Sequence, residues 1–482
     1  MPHLQAPPLS STRPPPAGDV CGATRRPPRQ TDLSAAARPP LPKWLTEPQH
    51  RLGQFLHYAK KVYGLFPRLG GLQDERLRPQ IPTADVVRSL FFAAVLRLPS
   101  LNALEGQLKA APFQRLLGRR AIPQVKAFSA DTVARVLDGL DLEALRDILH
   151  GVVHKAERNK VFREGIRGAW RAVAVDAWEP FSSYHRHCRH CLVRMVRQGK
   201  ANDRREIPQY YHRFVFALLL GSECEVVLDL EPLRPADLRR KEGVKVDCHE
   251  GEQTAALRLI DRLHDEFGRF IDLFVLDALY ANGPMMTRLT QLRYGAIITL
   301  RKESDEPLKE ALELMQGQPP CRVWDDPERK EHIQAWDVDE IETLDTFKGK
   351  IRVVRAQVTT RDEKTSTWCA AAVGERVRRL PARTVHELQR ARWHIENTAF
   401  NQWTQQWHLT HVFRHTPKAV MAVMLLWCLV FNLMQLFVYR RLRRPRLPKD
   451  PCDTIRSVVA QIAHELARLT APVPWELLFD SS

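Results

Sequence analysis

Apolar residues recur at helical spacing through residues of about 44–165, and the pattern divides into five segments: Gln49 to Tyr63, Thr83 to Leu96, Asn102 to Leu108, Ala130 to Leu137 and Leu142 to Asn159. Pro- and Gly-bearing turns separate these predicted helices, and Asp141 stands at the N-cap position of the last. Beyond residue 165 the pattern changes. Ala172-Val173-Ala174-Val175 and Ile271-Asp272-Leu273-Phe274-Val275-Leu276 read as short buried strands, and each ends in an aspartate, Asp176 and Asp277. Arg213 to Leu220 and Glu225 to Leu230 flank Gly221-Ser222 as a hairpin, and Tyr294 to Leu300 supplies another strand. Gly251 to Phe267 is amphipathic, with Ala255, Leu259, Leu263 and Phe267 on one face. Between Arg301 and Gly374, Lys350 to Thr359 and Ser366 to Val373 are strand-like. The expected fold class is α/β: a mixed-sheet core with a β-rich insertion, preceded by an all-helical region.

Composition adds limits to this picture. The first 43 residues are rich in Pro, Arg, Ala and Ser without apolar periodicity, and predict a disordered tail that lacks the apolar segment of a secretory signal. The expected division is then 44–165 helical, 166–440 core with the insertion at about 302–374, and 441–482 a basic linker and C-terminal helix. Hydrophobic residues at 44% support a globular whole. Lys and Arg number 73 against 56 Asp and Glu, giving +17. Such an excess favours a polyanionic partner through counterion release. The densest cluster is Arg440-Arg441-Leu442-Arg443-Arg444-Pro445-Arg446, with smaller ones at Arg25-Arg26 and Arg197 to Arg205.

A third acid joins the two aspartates. Arg390 to Phe400 has helical spacing that places Trp393, Glu396 and Phe400 on nearly one face, and an inward-facing acid needs a cationic partner. Two parallel-type strands delivering Asp176 and Asp277 at their carboxyl ends would set those side chains together. Three carboxylates suffice to hold two Mg²⁺ ions, which suit oxygen ligands and can serve both sides of a phosphoryl displacement. Taken singly, each Asp at a strand tip is equally a turn or cap residue. Asp247 and Glu250 read as favourable charges at a helix N-terminus.

Asp176-Ala177-Trp178, Leu276-Asp277-Ala278-Leu279-Tyr280-Ala281-Asn282-Gly283 and Arg392-Trp393-His394-Ile395-Glu396-Asn397 resemble the DDE motifs of the IS4-like bacterial insertion-sequence transposases. The resemblance covers about residues 165–440. It implies an RNase H-like catalytic core with Asp176, Asp277 and Glu396 as catalytic and metal-binding residues. It further implies Mg²⁺ or Mn²⁺ as cofactor, two ions in number, and cleavage at terminal inverted repeats followed by strand transfer into target DNA. The partners implied are double-stranded DNA and a second copy of the chain on paired ends, in a bacterial cytoplasm at the nucleoid. The helical region of 44–165 is then expected to bind the element ends, or else to pack as a collar on the core.

The family pattern around the glutamate runs Tyr, two residues, Arg, three residues, Glu, six residues, Lys. Arg392 and Glu396 keep its centre, but Gln389 stands at the Tyr position and Trp403 at the Lys position. That departure carries the alternative reading, a catalytically impaired, transposase-derived DNA-binding protein. Arg392 is a candidate for a bidentate phosphate contact and equally for an i,i+4 partner of Glu396. Arg440, Arg441, Arg443 and Arg444 are the other candidate DNA contacts.

Tyr184-His185-Arg186-His187-Cys188-Arg189-His190-Cys191 contains a Cys-x-x-Cys and three histidines. Cys188 and Cys191 have one correct half-spacing for Zn²⁺, while Cys224 and Cys248-His249 are isolated in sequence. A basic DNA-contacting loop or plain packing is the alternative. Nine cysteines without a regular framework fit a reducing compartment. Finally, Ala419 to Tyr439 is nearly continuous apolar sequence ahead of an arginine cluster, long enough to span a bilayer. Asn432 and Gln435 on it favour a buried core helix over a membrane span.

Overall fold

In the computed structural model of the chain, which describes residues 47, 50–119, 127–166, 170–199, 205–221, 224–241, 248–301, 306–442 and 454–476, helices start where short polar side chains can cap them. Ser100 accepts from the Ala103 amide, Ser129 from Thr132 and Asp141 from Ala144 at 3.0 Å, meeting amides that lack a partner within the helix. The five expected helices run Arg51–Tyr63, Thr83–Val95, Leu101–Leu108, Ala130–Gly139 and Leu142–Arg158. Two short ones at Leu65–Gly70 and Ala111–Leu116 escaped the periodicity because each is under two turns and carries a proline. The expected tail of 1–43 lies outside the described residues, as do Arg25-Arg26, Asp247, Arg443 and Arg444. Residues 42–482 form one compact unit.

Strands β1 (Ala172–Trp178), β5 (Phe214–Leu219), β6 (Val226–Pro232), β7 (Leu273–Leu276) and β8 (Gly295–Leu300) lie in the order β6-β5-β1-β7-β8. Pairing is antiparallel from β6 through β5 to β1, and parallel from β1 through β7 to β8. This is the RNase H-like arrangement. The Glu252–Phe267 helix makes the crossover between the hairpin and β7, burying Ala255, Leu259, Leu263 and Phe267 against β5 and β6.

The insertion differs from expectation in extent and placement. It contains β9 (Arg322–Asp326), β10 (Glu331–Ile341), β11 (Ile351–Thr360) and β12 (Thr365–Val373), and β12 pairs antiparallel with β8. The insertion therefore continues the core sheet to nine strands among the described residues. β9 and β10 went unread because they are charged and largely solvated, without clean alternation. A second sheet, also unforeseen, is a ribbon of β3 (Leu192–Gln198) and β4 (Arg205–Tyr211), with the two-residue β2 (Ser182–Ser183) beside β4. Apart from the buried Leu192, its residues are exposed or only partly buried and include Arg194 and Arg197, so no clear apolar pattern announces it.

The long apolar segment is the Pro417–Leu436 helix, buried along its whole length. It packs on the Leu142–Arg158, Ala130–Gly139 and Thr83–Val95 helices and on β6. Asn432 explains the polar interruption: its carboxamide accepts from the Val227 amide and donates to the Val227 carbonyl, both at 2.7 Å. That pair occupies the backbone N–H and C=O of Val227 on β6, the outer strand of the sheet. The N-terminal helices are thus a collar around a core helix. The C-terminal helix Ile455–Ala467 closes the collar, with Glu465 accepting from the Arg51 and Leu52 amides.

Candidate active site

β1 and β7 carry the aspartates to one place. Val175 pairs with Leu276 in parallel register, so the next residue on each strand is Asp176 and Asp277. Each carboxylate bends back on the chain, accepting from the following amide: Ala177 to Asp176 at 2.8 Å, and Ala278 to Asp277 at 2.6 Å. After Asp277, Asn282 caps the Gly283–Gln291 helix, its side chain accepting from the Met285 amide at 3.0 Å. Glycine is required at 283, because any side chain there would collide with Thr346 of the insertion.

Glu396 arrives from the other side. The Ala382–Ala391 helix is followed by a π-helical segment, Ile395–Phe400, and that wider winding changes the phase of the helix at the acid. As a result Trp393, expected to face inward with Glu396, is 37% exposed, while Phe400 is buried. Aromatic contacts fix the segment to the sheet: Phe400 stacks on Trp178 at 5.8 Å, and Trp403 packs on Phe216 at 4.9 Å.

Arg392 joins the acids. Its Nη1 lies 3.0 Å from Asp176 Oδ2 and 3.0 Å from Glu396 Oε1, and the residue is only 2% exposed. Of the two roles weighed for Arg392, the i,i+4 pairing is present, extended to a second carboxylate. A phosphate contact would require this buried guanidinium to leave both acids. Arg301 approaches Asp277 at 3.4 Å.

One further acid belongs to the site and was not foreseen. Glu252, in the first turn of its helix, accepts from the Tyr280 hydroxyl at 2.7 Å and pairs with Arg213 at 2.7 Å. Its charge is felt at Asp176. Burial pushes the Asp176 carboxyl up to about 6, Arg392 and the Ala177 amide oppose the shift, and Glu252 and Glu396 add to it. A sequence signal for Glu252 was weak, since acids are common in a first helical turn. Glu250 does not act as a simple helix-terminus charge, because it is buried against Arg258 and accepts from the Arg234 amide. It belongs to a buried network of Asp229, Glu231, Arg146, Arg258 and Arg262 on the hairpin side of the sheet.

The two positions that depart from the family pattern are interior. Gln389 is buried and donates to the Cys369 carbonyl at 2.7 Å, and Trp403 is 0% exposed. Arg440 and Arg441 are exposed, as the DNA-contact reading needs, and line a cavity of about 600 Å³ with His57, Lys61 and Lys155.

Cys188 and Cys191 meet neither Cys224 nor Cys248-His249. His249 instead bonds the Val193 and Ala236 amides. The cysteines converge with His212 and His415, and the four ligand atoms lie within 4.8 Å of one another. His185, His187 and His190, the histidines prominent in the sequence, are not in the cluster. His212 and His415 were missed as partners because 21 and 224 residues separate them from Cys191.

Residues 242–433 match the family model described as "Transposase DDE domain", a span that includes Asp277 and Glu396 and begins after Asp176. No curated protein sequence matches the chain. Among solved structures, a cryo-EM piggyBac transposase synaptic complex with hairpin DNA is similar over 89% of this chain and 83% of that chain, at 12% identity and a TM-score of 0.37. That likeness is too loose to carry detail from one chain to the other. The family match thus likens residues 242–433, which carry Asp277 and Glu396, to a DDE transposase domain.

Proposed function

We propose that the chain is a transposase that cleaves DNA at the terminal inverted repeats of its element and transfers the freed 3′ end into target DNA, with Asp176, Asp277 and Glu396 as its catalytic carboxylates. The observation that carries this reading is the Arg392 guanidinium held between Asp176 and Glu396, with Asp277 one residue beyond the β7 residue that pairs with Val175. Carboxylates gathered this closely need cationic charge, and an all-oxygen donor set suits hard divalent ions, so the residues fit Mg²⁺ or Mn²⁺. Two such ions, when bound, supply Lewis-acid activation of the attacking oxygen and neutralise the leaving one.

The chain's own residues supply position and charge. Asp176 and Asp277 are held by their strands and by the amides of Ala177 and Ala278, which fixes their orientation before any ligand arrives. Asp176 must lose its proton to act as a ligand, and Arg392 favours that loss against burial. Arg392 also holds Glu396 in place, and is free to turn to a phosphate oxygen once cations take over the carboxylates. Arg440 and Arg441, with Lys61 and Lys155, offer a basic surface for the DNA backbone. The helices of 44–165 are the part proposed to recognise the element ends, acting in a homodimer on paired ends.

The test is cleavage of a labelled duplex carrying the ends of the host element, with Mg²⁺ or Mn²⁺. Nicking at the element boundary, abolished by Asp176→Ala, Asp277→Ala or Glu396→Ala while DNA binding persists, is the expected result. Binding of the ends without cutting under either ion would establish the impaired, DNA-binding alternative that Gln389 and Trp403 first suggested.

A further inference from the structure

We propose that Cys188, Cys191, His212 and His415 hold one Zn²⁺ in a closed tetrahedral site, and that this ion anchors the β2-β4-β3 ribbon to the body of the protein. The site stands independently of the transposase reading.

The distances favour a metal over ordinary packing. The two Sγ atoms are 3.7 Å apart, His212 Nε2 lies 3.3 and 3.4 Å from them, and His415 Nε2 is 3.2 Å from Cys191 Sγ. A tetrahedron built on Zn–S of about 2.3 Å and Zn–N of about 2.0 Å has edges of about 3.8 Å between sulfurs and about 3.5 Å between sulfur and nitrogen. These four edges agree to within a few tenths of an ångström, and all four ligand atoms lie within 4.8 Å of one another. A disulfide would bring the sulfurs to about 2.05 Å, far inside the observed separation. Two thiol sulfurs and two imidazole nitrogens in tetrahedral array select zinc among the common divalent ions. Four protein donors leave no open position, which marks a structural ion rather than a catalytic one.

The surroundings suit such a role. Cys191 and His212 are buried, and Phe181 lies against both imidazoles at 5.6 and 5.8 Å, giving the site an apolar wall. Cys188 and Cys191 form one turn, with the Cys191 amide donating to the Cys188 carbonyl at 3.1 Å. His212 ends the ribbon's second long strand, and His415 comes from the segment that joins the glutamate region to the buried Pro417–Leu436 helix.

The ribbon's own packing is thin. Val193 and Met195 of β3 are 36% and 58% exposed, while Leu192 at its base is buried. Among its ties to the body are the Arg194–Glu179 ion pair, partly exposed to water, and the bonds of His249 to Val193. An ion binding both the start of β3 and the end of β4 to His415 fixes the base of the ribbon where local packing does not. Binding free energy at such a site becomes folding free energy for the segment.

Zinc content of the full chain, produced without a polyhistidine tag and dialysed, is measured by mass spectrometry against protein concentration, together with X-ray absorption at the zinc edge. One zinc per chain with two sulfur and two nitrogen neighbours is expected. Cys191→Ser and His415→Ala lose it, and Cys248→Ser, at an exposed cysteine, keeps it. Removal of the ion by a strong chelator opens the ribbon to trypsin at Arg194 and Arg197, and added Zn²⁺ closes it again. A wild-type chain that takes up no zinc, or zinc bound only by oxygen and nitrogen, or a Cys188–Cys191 disulfide in freshly purified protein, overturns the proposal. The absorption spectrum is read on the wild type, so it decides the question even if both variants fail to fold.

Discussion

Arg392 Nη1 lies 3.0 Å from Asp176 Oδ2 across 216 residues of sequence, and the same nitrogen reaches Glu396. A buried guanidinium thus holds together two acids of the site from separate elements. Removing it takes from Asp176 the cation that pairs it, with the charges of Glu252 and Glu396 still acting on it. Arg392→Ala is expected to cost about 3 kcal/mol of stability in EDTA, the usual scale for breaking a buried ion pair. Mg²⁺ should then stabilise the variant more than it does the wild type. Urea unfolding with and without Mg²⁺ checks this, and equal unfolding midpoints for variant and wild type in EDTA would show that Arg392 does not balance the acids.

Asp176 gives the opposite sign. Its folded value of about 6 stands above the ordinary 3.8, so the folded state holds the proton more tightly than the unfolded one. Its contribution is therefore most favourable below about pH 4 and is lost as pH rises through 6. At pH 7.5 without divalent ions, Asp176→Asn is expected to melt no lower than the wild type, with a gain of up to about 2 kcal/mol. The rise in melting temperature that Mg²⁺ gives the wild type should shrink. Differential scanning calorimetry in EDTA and in Mg²⁺ reads both effects, and a variant less stable in EDTA contradicts the sign.

The core order, the hairpin, the crossover helix and the strand-end positions of Asp176 and Asp277 were legible because each rests on a local pattern: a short apolar run, a turn pair or a helical stripe. Several features were not. The π-helical segment changes which face Trp393 occupies, and nothing in the residue types announces that change. β9 and the ribbon are largely exposed or only partly buried on both faces, and β10 buries only Ile333, Ala335 and Ile341 among charged neighbours, so the alternation that marks a half-buried strand is weak. Glu252 and the pair His212 and His415 are brought to their sites by tertiary packing, which local spacing does not encode. The long apolar segment was settled by Asn432, whose side chain serves a strand edge.

Asp229 tests the buried network. Burial alone would raise its carboxyl, but the His150 imidazole 3.2 Å away and the charges of Arg146 and Arg262 outweigh it and hold the group at about 2. The folded value lies below the ordinary 3.8, so the stability it contributes is present above about pH 4 and is lost as pH falls toward 2. That contribution is on the order of 2 kcal/mol. Asp229→Asn should therefore be clearly less stable than the wild type at pH 7, and the gap should narrow as pH falls from 4 toward 2. A gap that stays constant across that range would mean the carboxylate's charge does not matter there.

Trp403 decides whether the family lysine position can be restored. Its ring is fully buried and packs on Trp178 at 5.4 Å, Phe216 at 4.9 Å and Phe431 at 5.7 Å, between the glutamate segment, the sheet and the long core helix. A lysine there would bury an unpaired ammonium and leave a cavity where an indole had been. Trp403→Lys is expected to destabilise by about 4 kcal/mol or more and to yield little soluble protein, whereas Trp403→Phe, which keeps the aromatic contacts, should fold. Soluble expression and urea unfolding of the two variants measure the difference. A stable, folded Trp403→Lys would place the position at the surface, where a lysine could reach DNA. Loss of folding instead shows that this chain uses the position to set Glu396 against the sheet, so that any DNA contact must come from exposed cations such as Arg440 and Arg441.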